Sequence, residues 1–234
     1  MKTLLFILAL SCWPLPAVAH KPLDTAQPAT REQPVVIRAH QKSWAAYNRL
    51  AGGKDVDYYL LADVQNGDPI DATLLVPVID RLAGFYPALA LLGPGLPVVT
   101  GGLAEETLAS FLQIAPGEGV VVKNSQEKAD TFFEPFTQTK YWPRQKLYLT
   151  APAGGQYYLA VFAPGGEGDK YVLAIGQKES WKVKDFLQFP KLWWQVRMFA
   201  EKERSTYIVV GFLAFAFFLL IALLIRGYRQ KSGS

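Results

Sequence analysis

The chain is predicted to be mainly β: an antiparallel β-sandwich or jelly-roll ectodomain joined to one C-terminal transmembrane helix. Three observations carry that expectation. Between residues 35 and 177, short apolar or alternating runs are broken repeatedly by glycine, proline and Asn-Gly-Asp turns. The one cysteine, Cys12, lies in an N-terminal leader, so a mature sandwich has no disulfide and must rest on its core. Tyr207 to Ile225 is a run of nineteen residues without a charge, which as a helix just crosses a ~30 Å hydrocarbon core.

Residues 1–19 open with Met1-Lys2, continue with an apolar run from Leu4 to Leu10, and end in Ala17-Val18-Ala19. That is the pattern of a secretory signal peptide, with cleavage expected after Ala19. Residues 20–34 hold three prolines and few large apolar groups, and read as a disordered or extended linker. Strands are expected near Val35–Ala39, Val56–Asp63, Ile70–Pro77, Ala88–Leu92, Val120–Lys123, Lys146–Thr150, Gln156–Phe162 and Tyr171–Ile175. A helix is expected over Leu103–Leu112, with Glu105 and Glu106 at its positive end.

Residues 178–206 alternate rings with cations. Trp181, Phe189, Trp193 and Trp194 are placed at headgroup depth and Arg197 is expected to snorkel outward, forming an amphipathic collar. Pro190 should open a helix that runs on through the span, 207–225, to Arg226. The tail, 226–234, carries Arg226, Arg229 and Lys231 and no acid, which predicts a cytoplasmic C-terminus, an extracytoplasmic domain and a plasma (inner) membrane address.

The formal charge of +4 belongs to these flanks. Setting aside Lys2, Arg226, Arg229 and Lys231 leaves twenty basic residues against twenty acidic ones, which excludes a nucleic-acid footprint. There is no Gly-x-Ser-x-Gly, no cysteine beyond the leader, and only His20 and His40, so nucleophilic hydrolysis lacks its parts and no catalytic residue is assigned. Cofactor chemistry narrows to metals. An N-terminal His20 with His40 in reach would offer nitrogens to copper, and Asp55, Asp57 and Asp68 offer hard oxygens to calcium. The plain alternative is that Asp in such turns bonds its own backbone. Candidate binding aromatics are Trp44, Tyr59, Tyr86, Trp142 and Tyr158, on the expectation that each doublet sends one ring inward and one outward.

The order DVDYYLL at 55–61, NGDPIDATLLVP, FYPALALLGPGLP, FFEPF at 132–136 and GGQYYLAVFAPGGEGDKYVLAIG resembles the bacterial pre-peptidase C-terminal β-sandwich over residues 35 to 177. That resemblance implies a noncatalytic module, of a kind implicated in binding polymers or calcium. Here it is tethered to a span. The expected function is therefore that of a noncatalytic, membrane-anchored binding or accessory protein contacting the membrane and a membrane or envelope partner. The alternatives are metal handling and surface polymer or glycan binding.

Overall fold

The computed structural model describes residues 20–23, 29–135, 137–180 and 187–232, with side chains as far as Arg226. The signal-peptide residues 1–19 and Trp181 lie outside the described residues, as does the side chain of Arg229.

Among the described residues, twelve strands form two six-stranded sheets. The first contains β1 (Lys21–Pro22), β3 (Trp44–Arg49), β12 (Lys170–Ile175), β5 (Pro69–Pro77), β10 (Thr139–Thr150) and β9 (Phe132–Glu134), in that spatial order. The second contains β2 (Val35–Ile37), β4 (Val56–Val64), β11 (Gly155–Phe162), β6 (Ala88–Pro94), β8 (Glu118–Lys123) and β7 (Val98–Val99). The long strands pair antiparallel, and the short edge strands β1, β2 and β7 add parallel to β3, β4 and β8. Ending each sheet in strands of two or three residues leaves little open edge for another chain to extend.

Strand alternation sends Tyr59, Leu61, Leu74, Leu89, Leu91, Leu159 and Tyr171 between the sheets, all fully buried. Both outer faces are apolar as well. On the second sheet, Tyr58, Ala90, Leu92, Val120 and Phe162 are covered by α1 (Glu105–Phe111) and the Leu112 that follows it. On the first, Ala45, Tyr141 and Val172 pack with Tyr47, Leu75 and Phe199, the last from α2 (Phe189–Phe199). The order of layers is thus α2, first sheet, second sheet, α1.

Several elements differ from expectation. β10 begins seven residues earlier than the apolar run Lys146–Thr150 suggested. Its register slips between Pro143 and Gln145, and this irregularity lets Pro143 sit within a paired strand. β3 went unread because Ala45-Ala46 and Asn48-Arg49 break the alternation. Residues 20–23 and 29–34 lie against the sandwich: Lys21–Pro22 pairs with β3, Ala29 is buried, and Arg31, in a bend at 31–33, bonds both Glu118 oxygens at 2.7 Å. The helix expected from Lys191 through the span is two helices. α2 ends at Phe199 and α3 (Glu203–Ser232) begins after a corner in which Glu201 takes φ +55°, a left-handed value that no continuous helix accommodates. Pro190 does stand in the first turn of α2, where its missing N–H costs nothing. The Glu203–Arg226 part of α3 is apolar, unburied and long enough to cross a membrane.

Gly93 in β6 shows how tightly the sandwich is built. A Cβ there would run into the Tyr157 ring, and that ring cannot swing away because its hydroxyl donates to Pro94 O (2.8 Å) and Ala153 O (2.9 Å). Gly93→Ala is expected to cost about 1–3 kcal/mol by overpacking. Gly84→Ala, which meets open space, should change stability by less than about 0.5 kcal/mol. Paired urea unfolding curves check both.

Candidate binding cavity beneath the collar helix

The acidic turns do not assemble into a cation site. Asp55 Oδ2 accepts the Ala51 N–H at 2.6 Å, and the Asp68 carboxylate accepts the Gln65 N–H at 2.9 Å and Gln41 Nε2 at 3.0 Å. Both act as braces for their own turns. Asp57 points inward, accepting the Tyr171 hydroxyl at 2.6 Å at the end of a buried relay from Asn48 Nδ2 through the Tyr59 and Tyr171 hydroxyls.

His20 and His40 keep different company. His20 lies beside Asp71 and the Gly176 backbone, whereas His40 is buried with Nε2 3.8 Å from Asp68 Oδ2. Burial holds both imidazoles below their ordinary value, against the upward pull of the Gly176 backbone on His20 and of Asp68 on His40. Among the described residues, no group of three or more His, Cys, Asp or Glu side chains is gathered to hold a metal.

The aromatic candidates are likewise occupied. Tyr59 is fully buried, a correction to its expected outward role, and its doublet partner Tyr58 is buried too because α1 covers that face. Tyr158 lies under the Arg31 guanidinium, 4.1 Å from the ring centre. Tyr86 and Trp142 flank Arg144, at 3.8 and 5.1 Å. Trp44 is half-buried, its indole N–H directed at Ala39 O (3.4 Å). Among the described residues, the most exposed rings on the sandwich are Phe132 (45% exposed), Phe133 (49%) and Tyr148 (66%). Phe132 and Phe133 belong to the three-residue β9, too short to signal itself by alternation.

The collar is where sequence and structure diverge most. Arg197, expected to reach outward, is 3% exposed. Its guanidinium donates to Thr206 Oγ1 (2.7 Å), Ser205 Oγ (2.6 Å) and Thr137 O (2.7 Å), and stands over the Trp193 ring at 4.8 Å. One side chain thus ties α2, the first turn of α3 and the loop between β9 and β10. Trp194 meets Tyr207 edge to face, Phe189 is half-buried, and Arg226 is exposed. At the corner, Glu201 accepts from Lys170 Nζ (2.8 Å) and from both terminal nitrogens of Arg81 (2.7 and 3.0 Å), and Lys170 foremost holds its carboxyl below the ordinary range. Lys170 Nζ also donates to Phe199 O at 3.0 Å.

Between α2 and the first sheet lies a cavity of 770 Å³. Strand register lays out its floor in rows. Tyr47, Val172, Leu75 and Pro143 are neighbours across β3, β12, β5 and β10, and Ala45, Ala174, Thr73 and Lys146 form the row beyond. Leu192 and Val196, one turn apart on α2, make the roof. The methyl groups of Ala45 and Ala174 leave the space that larger side chains would fill. At one end stand His20, Asp71 and Gln177, the Gln177 amide donating to Asp71. At the other, Thr137 donates to Glu134 through N–H and hydroxyl, and Thr139 donates to the Tyr141 hydroxyl at 3.0 Å.

No family model matches this chain, and neither does any curated protein. Among solved structures, it is similar to a periplasmic inhibitor of g-type lysozyme from Aeromonas hydrophila, at 14% identity and TM-score 0.33, over 68% of this chain and 98% of that one. It is also similar to the pre-peptidase C-terminal domain of a Bacillus anthracis collagenase, at 15% identity and TM-score 0.30, over 60% and 92%. A surface-associated copper-binding protein of Methylomicrobium album matches at 9% identity and TM-score 0.28, over 69% and 99%. At these scores the likeness assigns no activity to this chain.

Asp57 supplies a pH test of the buried relay. Burial pushes its carboxyl up to about 6, although the Tyr171 hydroxyl bond pulls it the other way. The folded value lies above the ordinary one, so the fold favours the protonated acid. That contribution is complete below about pH 4 and lost as pH rises through about 6. Relative to Asp57→Asn, the parent chain should lose about 1 kcal/mol of stability between pH 5 and pH 7. Thermal unfolding of both chains across that range measures it.

Proposed function

We propose that the protein is a noncatalytic, membrane-anchored extracytoplasmic binding protein that presents the cavity under α2 and the adjoining Phe132–Phe133 edge to a ligand or partner at the membrane surface. The observation that carries the reading is the cavity's position: its roof helix passes into the apolar α3 after three residues, Ala200 to Lys202. Arg197 and Glu201 fix that corner to the sandwich, so the binding face is held at one height and angle over the span. Binding rather than catalysis is favoured by the lining, which is mostly apolar side chains with a few polar groups at the ends. A basic tail after the span supports a cytoplasmic C-terminus with the sandwich outside.

The coupling is tested by Arg197→Ala combined with Glu201→Lys in the full chain. Losing the guanidinium removes the donor to Thr137 O and unties the sandwich from the first turn of α3, and the reversed charge repels Lys170 and Arg81. Affinity capture from gently solubilised native membranes is expected to recover one stoichiometric membrane or envelope protein with the parent chain. Recovery should fall at least about fivefold with the double variant and vanish with α3 alone. Recovery of the parent chain by itself overturns the partner reading.

A further inference from the structure

The cavity under α2 has a ligand chemistry that its lining spells out, and the inference rests on the membrane-anchored reading above. We propose that it holds an acyl chain of a membrane phospholipid, with the zwitterionic head at the His20, Asp71 and Lys146 end.

Size is the first argument. At 770 Å³ the space falls within the ~300–1,000 Å³ of ordinary ligand pockets and exceeds what a few waters need. Its middle is a poor home for water, being walled by Leu75, Val172, Ala174 and Pro143 below and by Leu192 and Val196 above. An apolar chain gains there by leaving water.

Polarity is the second argument. The groups at the Thr137 end bond one another, so they keep little capacity for a ligand. The far end carries charges of both signs, Asp71 and Lys146, whose positions on β5 and β10 are diagonal neighbours on one face, with the His20 imidazole beside them. A head bearing one phosphate and one ammonium complements that pair, the phosphate toward Lys146 and the ammonium toward Asp71.

Orientation is the third. Tyr47, in the apolar row, touches Phe199 edge to face at 5.4 Å, and Phe199 ends the helix that turns into α3. The Thr137 end, which Arg197 ties to Thr206 in the first turn of α3, lies nearest the span, the apolar row comes next and the charged end is farthest from it. A phospholipid of the outer leaflet has the same polarity, tail toward the bilayer centre and head outward. It can rise into the cavity without inverting. A soluble apolar ligand would have no reason to find the site aligned with the span in this way.

The full-length chain, reconstituted in phosphatidylcholine vesicles doped with a phosphatidylcholine carrying a diazirine midway along one acyl chain, provides the test. After irradiation, peptide mapping is expected to find label on β3, β5 and β12 and on the Leu192 peptide, as well as on residues 207–225. Ala174→Trp fills the floor and Leu192→Glu charges the roof. Each should lower the sandwich label at least tenfold while the span label stays constant. The Leu192 variant lies on a helix surface, so it keeps the test valid if the tryptophan prevents folding. Label confined to the span overturns the proposal but leaves the anchored reading standing, and sandwich label that persists in both variants also overturns it. An unlabelled span removes the anchored reading and the proposal together.

Discussion

Each sheet of this sandwich is apolar on both faces, and that constraint shapes the rest of the molecule. A sandwich ordinarily buries its inner faces and lets water reach the outer ones. Here Tyr58, Leu92, Val120 and Phe162 on one outer face, and Tyr47, Leu75, Tyr141 and Val172 on the other, all need cover. The chain supplies a helix to each. The short α1 seals its face closely, with the Phe111 ring 5.2 Å from that of Phe162 and Tyr58 accepting the Gln113 N–H at 3.1 Å. The longer α2 seals its face incompletely, since Ala45 and Ala174 stand where larger residues would meet Leu192 and Val196. The cavity is thus the difference between two solutions of one packing problem.

Docking α2 on the sheet also decides how the span is attached. Had the collar run straight into the span, as its composition suggested, the sandwich would hang from a single helical stem. Instead the chain turns at Glu201, and the turn is held by charges from the first sheet and the turn after β5, Lys170 and Arg81, while Arg197 locks the two helices to the loop after β9. A buried guanidinium is costly unless every donor finds an acceptor, and removing its partners leaves that cost uncompensated. Such a joint transmits position: whatever moves or tilts α3 moves the roof of the cavity.

Much of the sandwich was legible in the residue order because strands with one or two apolar faces and glycine-rich turns declare themselves locally. The runs at Val56, Ile70, Ala88 and Gln156 became β4, β5, β6 and β11 with boundaries displaced by at most two residues. What stayed hidden depends on tertiary partners. β1 and β7 have two residues each and exist only because β3 and β8 are there to pair with. The burial of Tyr59 and Tyr58 together could not follow from alternation, which knows of one core, not two. Arg197 resembled every snorkelling cation in a collar, since its acceptors Thr137, Ser205 and Thr206 are gathered only by folding. The cavity itself left a faint trace, the small residues Ala45 and Ala174, which by sequence look like ordinary gaps in a strand pattern.

The same reasoning explains why polar residues that invite a chemical reading here serve structure. Asp55 and Asp68 close turns, Asp57 terminates a buried relay, Arg31 spends its charge on the Glu118 carboxylate and the Tyr158 ring, and Arg144 on rings and carbonyls of the sandwich. Charges committed in this way hold loops and layers at low entropic cost, because their partners are already ordered by the strands. The side chains left to face a ligand are then those around the cavity, where an apolar floor and roof end in His20, Asp71 and Lys146. Under the binding role proposed above, an apolar space beside the apolar α3 suits something hydrophobic at a membrane surface, and the polar groups at its end set which way round that something sits.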